Sequence, residues 1–155
     1  MWEAFQRYRA LDPETRRLFR RAAVLLLLVK VSLGLRGFGK TQEWLQSRLQ
    51  RGHPVKSNFA NSTDIVERTC RMVRAADRYA IFRAGCLEQS LTLWYLLSVQ
   101  GISASVRIGI PKQTEPFEAH AWVEHEGVAL NQLEEPHTHY DPFDGKFPGP
   151  PKEQP

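Results

Sequence analysis

The chain has 155 residues, 42% of them hydrophobic and 25% charged. That length and balance suit one soluble domain with a proper core. Its two cysteines exclude a disulfide framework, and a reduced, cytoplasmic setting is the simpler expectation, although Cys70 and Cys86 remain able to pair. The net charge of +4 is uneven: residues 1–40 hold nine Lys/Arg against three acids, which leaves the remainder slightly acidic. Such a basic end meets an acidic partner, a membrane surface or plain solvent. No aromatic-basic interleaving and no nucleic-acid motif accompany it, so no nucleic-acid partner is expected.

Trp2, Phe5 and Tyr8 recur at three-residue steps, an amphipathic turn or two of helix. Asp12-Pro13-Glu14 follows as a helix start, with Asp as cap, Pro at the first helical position and an acid in the first turn. That helix runs through Ala22–Val29, is interrupted by Lys30, and continues over Val31–Leu35. The uninterrupted apolar run of eight residues is well short of the roughly 20 that a membrane span needs. Gly34-Leu35-Arg36 fits a signal-peptide cleavage site poorly. A buried helix is expected, with a peripheral membrane contact left open.

Thr41–Leu49 predicts a short helix with Trp44, Leu45 and Leu49 on one side, and residues 52–61 a loop. Asp64 with Glu67 resembles a capping box. The helix after it turns Ile65, Val66, Cys70, Val73 and Ala76 inward, which makes Cys70 a small core residue. A short connection over Arg78–Ala84 then leads to Gly85-Cys86 and a helix apolar on most of its circumference, stopped at Gly101. A thiol at a helix N-terminus feels the positive end of the peptide dipoles, which favours thiolate.

Beyond Gly101 the period becomes two. Ala104–Ile110 reads as a strand ended by Pro111, and Glu118–Glu124 as a second strand with His120, Trp122 and Glu124 on one face. A turn near His125-Glu126-Gly127 returns the chain through Val128–Asn131. Six of the ten prolines lie beyond Leu133. Helices first and a small antiparallel sheet after them make an α+β fold, with the sheet packed on the Cys86 helix. Cys86 and His120, 34 positions apart, have the chemistry of a nucleophile and its base. Spacing alone leaves open a plainer reading, a buried small residue and a satisfied strand histidine.

The pattern is denser than that pair. Cys86-Leu87-x-x-Ser90-Leu91-x-Leu93-Trp94-x-Leu96-Leu97, Gly101-Ile102, Val106–Gly109, Phe117–Glu124, Gly127 and Leu130-Asn131 together resemble the transglutaminase-like cysteine proteases of bacterial lasso peptide biosynthesis. The likeness is to their stand-alone leader peptidase component. It covers residues 86–131, whereas the N-terminal helices agree only in general character.

The resemblance implies a papain-like mechanism on a transglutaminase-like fold. Residues 61–145 would form the core, residues 1–60 a helical region packed on it, and residues 146–155 a disordered tail. Cys86 would be the nucleophile. His120 would hold it as an ion pair and then protonate the leaving amine. The Cys86 N–H is the natural oxyanion donor, with Gln89 and Trp122 as weaker candidates for oxyanion or substrate contacts.

The family has an acid just after the Leu-Asn pair; here that position is Gln132. A two-residue turn puts Asn131 behind His120, and a three-residue turn puts Gln132 there. The family alignment inclines the choice to Gln132, with Asp141 and Asp144 as outside candidates. No cofactor is implied, and His137, His139 and Asp141 in the proline-rich tail do not make an expected metal site. The implied partners are the leader region of a precursor peptide, a separate leader-recognition protein and an ATP-dependent lasso cyclase. Transglutaminase-type acyl transfer, or a binding module weakened by the missing acid, remain as rivals.

Overall fold

The structure, a computed structural model, describes residues 6, 8–51, 62–111, 119–131 and 140–143. Helix α1 spans Pro13–Arg51, and α2 spans Ser62–Tyr79. Helix α3 spans Cys86–Val99. Strands β1 (Ser105–Pro111), β2 (His120–His125), β3 (Val128–Ala129) and β4 (Tyr140–Phe143) follow. The order of elements is the α+β arrangement that the change of period predicts.

Helix α1 begins as its residues dictate. Asp12 Oδ1 accepts the Thr15 N–H at 2.9 Å, and hydrogen bonding by Thr15, from its side chain first and its backbone second, holds the Asp12 carboxyl below its ordinary pKa. The helix is two segments joined at Gly37, whose φ of 74° and ψ of 179° lie outside helical space. Thr41, fully buried, spans the joint by donating to the Gly37 carbonyl at 2.8 Å and meeting Ser32 Oγ at 2.9 Å. Among the described residues no helix is long and apolar enough to cross a membrane. Tyr8 packs on Phe19 with ring centroids 5.5 Å apart, whereas Trp2 and Phe5 lie outside the described residues.

Helix α2 starts at Ser62, so Asp64 sits in its first turn and the expected capping box at Asp64 and Glu67 is displaced. Val66, Cys70, Val73 and Ala76 face inward as the periodicity requires. Helix α3 ends in a Schellman arrangement: Gly101 N–H bonds the Ser98 carbonyl and Ile102 N–H the Leu97 carbonyl, both at 3.0 Å, with Gly101 at φ 77°. Leu91, Trp94 and Leu97 of α3 lie in one cluster with Leu26 and Leu45 of α1, Val73 of α2, Val106 of β1 and Val123 of β2. Helices α1, α2 and α3 and the sheet therefore share a single core.

The sheet is antiparallel in the order β3-β2-β1-β4. Gly109 stands opposite His120, Arg107 opposite Trp122 and Val106 opposite Val123. The β2–β3 hairpin turns on two residues, Glu126 (φ 51°) and Gly127 (φ 81°), the mirror-image geometry that suits the strand twist. β4 pairs Phe143 with Ile108 and Pro142 with Gly109, an edge position where proline's missing donor costs little. The remaining tail, residues 144–155, lies outside the described residues.

Candidate active site

Cys86 is the first residue of α3, and Gly85 is its cap with extended backbone (φ −73°, ψ 175°). Glycine contributes no capping side chain, so the Cys86 N–H, among the first donors of the helix, points out of it without an intrahelical partner. Cys86 is half-buried, and its Sγ lies 4.0 Å from the carbonyl oxygen of Ala119, the residue before His120. One turn further along α3, Ser90 Oγ donates to the Ala121 carbonyl at 3.0 Å. The two helix residues thus face the carbonyl just before β2 and the next outward carbonyl within it, on the edge that β3 is too short to cover. This lays the start of the cysteine helix along the start of the histidine strand.

Asn131 locks the pair. Its Oδ1 accepts the Val123 N–H at 2.8 Å, and its Nδ2 donates to Ser90 Oγ at 2.9 Å. The two-residue turn is realised, and with it the pairing of Leu130 with Val123 through a 2.9 Å bond. The amide of Asn131 nevertheless fastens helix to strand, which corrects its expected place behind the imidazole. Gln132 and Asp144 lie outside the described residues, as do His137 and His139. Asp141 is paired with Ile110, one position off the cross-strand row of Pro142, Gly109 and His120.

His120 is half-buried, and its Nε2 is screened from solvent. Burial holds its pKa below the ordinary value of 6.5. That direction favours neutral imidazole and opposes the standing ion pair implied by the resemblance; the ring is set up as a base. Gly109 alongside leaves its neighbouring row free of a β1 side chain. On the other side the ring stacks on Trp122, with centroids 6.4 Å apart and 16° between planes.

Trp122 is fully buried, and its Nε1 donates to Glu124 Oε1 at 3.1 Å. Glu124 in turn receives Arg107 Nε on Oε2 at 2.8 Å. Trp122 is therefore a clamped wall beside the histidine, which corrects its expected oxyanion or substrate contact. The alternation of residues 120, 122 and 124 onto one face is the feature that made this chain of contacts legible.

Gln89 also departs from its expected role. Its Nε2 donates to Asp77 Oδ2 at 3.2 Å and to the Ala84 carbonyl at 3.1 Å, so both amide protons are engaged away from any oxyanion. Asp77 Oδ1 takes the Ala84 N–H at 2.7 Å. From α1, Lys30 Nζ donates to the Arg83 carbonyl at 3.1 Å and pairs with Glu88 Oε1 at 3.6 Å. Asp77 and Lys30 together pin the turn that presents Gly85-Cys86. Sequence reasoning missed both, along with Ser90. Lys30 did carry a signal, a charge inside an otherwise apolar run.

Cys70 is the contrasting case. It is 9% exposed beside a groove of about 410 Å³ shared with Arg71 and Leu130, and burial pushes its thiol up. It is packing, as its place inside a helix predicts. Among the described residues no group of His, Cys, Asp or Glu is arranged to hold a metal.

A thiol heading one helix, a histidine heading the strand beside it, and a core that joins them make the arrangement of a thiol enzyme. The model of the transglutaminase-like superfamily matches residues 25–143, and the chain belongs to that superfamily. Its members are generally cysteine-dependent enzymes and include cysteine peptidases and acyltransferases. No curated protein and no solved structure matches the chain.

Proposed function

We propose that the chain is a bacterial cytoplasmic cysteine peptidase that removes the leader from a ribosomally made lasso peptide precursor. The observation that supports it most is the approach of Cys86 Sγ to Ala119 at the head of α3. Neutral His120 takes the thiol proton, and Cys86 Sγ attacks the carbonyl of the last leader residue. The Cys86 N–H faces the oxygen that gains charge. His120, now charged, protonates the leaving amine, which departs as the core peptide. Water then attacks the thioester with His120 again as base, releasing the leader acid and the thiol. A separate recognition protein delivers the leader, and an ATP-dependent cyclase closes the freed core peptide.

The test is incubation with a leader-containing precursor peptide and the recognition protein, with and without an isotopically heavy amine, read by product mass. The expected product is the leader with a free carboxyl in both mixtures. A leader carrying the heavy amine would show acyl transfer instead. Bound but intact precursor would identify a binding module.

A further inference from the structure

The outer face of α1 is unusual for a helix whose opposite face is core. Val24, Leu27, Leu28, Val31 and Leu35 are 46–80% exposed and fall on one stripe, while Ala22, Leu26 and Val29 are fully buried behind them. Arg17, Arg20 and Arg21, all exposed, stand at the start of the stripe, and Arg36 and Lys40 stand past its end. Between Glu14 and Glu43 the chain has seven basic residues and no acid. Lys30 ties the turn before Cys86 to α1 through the Arg83 carbonyl, and that turn carries Ile81, wholly exposed.

Charge and shape choose the occupant. A second copy laid along the stripe in either direction brings cations against cations. The stripe is a row of aliphatic side chains along a helix, and the groove beside its far end is itself flanked by the cations Arg36 and Lys40. A surface of anionic headgroups satisfies both ends at once and needs no shape match, while the aliphatic side chains enter the headgroup–acyl boundary. We propose that this ridge is a peripheral membrane-docking surface for a bilayer rich in anionic lipid. The proposal stands independently of the peptidase reading.

The experiment is flotation of the full chain with vesicles of phosphatidylcholine alone or of phosphatidylcholine and phosphatidylglycerol at 3:1. The protein is expected to float with the mixed vesicles, to stay behind with the neutral ones, and to be released progressively by salt. Each basic side chain near an anionic surface is worth roughly fivefold, so Arg17→Gln/Arg20→Gln/Arg21→Gln should weaken binding about a hundredfold. Leu35→Asp, at the most exposed ridge position, should weaken it at least tenfold with an unchanged melting curve. Arg48→Gln/Arg51→Gln, beyond the ridge, should leave it within twofold. Failure of the wild-type chain to float with mixed vesicles overturns the proposal. So does binding that ignores the ridge substitutions, or a dimer in light scattering that Leu35→Asp dissolves without any vesicle binding.

Discussion

His120 carries a pH signature because burial lowers its pKa. Above pH 6.5 the imidazole is neutral in both folded and unfolded chains. As pH falls below 6.5 the unfolded chain takes the proton first, so stability is lost progressively toward the folded pKa. Urea titrations between pH 7.5 and 5 should show that loss, and His120→Gln should flatten its share of it. The same direction places the acid limb of kcat/KM below pH 6.5, with His120 acting as base. A limb centred above 6.5 would mean that imidazolium is the stabilised form. The cysteines separate as cleanly. Cys86→Ala should abolish turnover with a nearly unchanged melting temperature, whereas Cys70→Ala should retain turnover at a modest cost in stability. Loss of activity in Cys70→Ala with Cys86 intact would reverse the assignment.

At the scale of elements, the site depends on two braces around the start of α3. Ser90→Ala removes the bond to Ala121 and leaves Asn131 Nδ2 without its acceptor. Unmade buried bonds of this kind cost roughly 1–3 kcal/mol, and the freed helix start should lower kcat/KM by more than the stability loss alone explains. Lys30→Met keeps the side chain's length and loses both the bond to the Arg83 carbonyl in the turn and the pair with Glu88 in α3. The pair is partly exposed, so little stability rests on it. The alkylation rate of Cys86 and kcat/KM should both fall several-fold while the melting temperature moves by a few degrees at most. An unchanged alkylation rate would show that Asp77 alone holds the turn.

The same elements show what was legible. Helix starts, the inward faces and the stop at Gly101 follow from local chemistry, and so do the two long strands. β4 was missed because Asp141 and Pro142 are poor strand formers, and only pairing with β1 makes them a strand. Asp77 and Gln89 meet across a turn whose geometry no spacing rule encodes, so their bond was out of reach. Asn131 was found for the wrong reason: register put it near β2, yet Ser90, invisible as a partner, claims its amide.

For the whole molecule, α1 is the element that joins everything else. It contributes Leu18, Leu26 and Leu45 to the core and Lys30 to the turn before Cys86, and it still leaves a ridge outside. If the proposed leader-peptidase function holds, the segment before it, residues 2–10, is a candidate docking site for a recognition protein. Deleting residues 2–10 should preserve the cooperative unfolding transition and weaken stimulation of cleavage by that protein. Identical curves of cleavage rate against recognition-protein concentration for the full and shortened chains would move the docking surface elsewhere, most simply to the sheet.

The contact between α3 and β2 also has an arithmetic limit. Four residues of helix advance about 6.0 Å, and two residues of strand about 6.4–6.8 Å. Over one repeat the two rulers agree to within an ångström, which lets Cys86 meet Ala119 while Ser90 meets Ala121. Over a second repeat the error doubles. At that point the strand turns to the returning chain, with Asn131 on the Val123 N–H and Leu130 on its carbonyl. The match is therefore good for two marks only, and those two marks are the cysteine and the serine that sets its place.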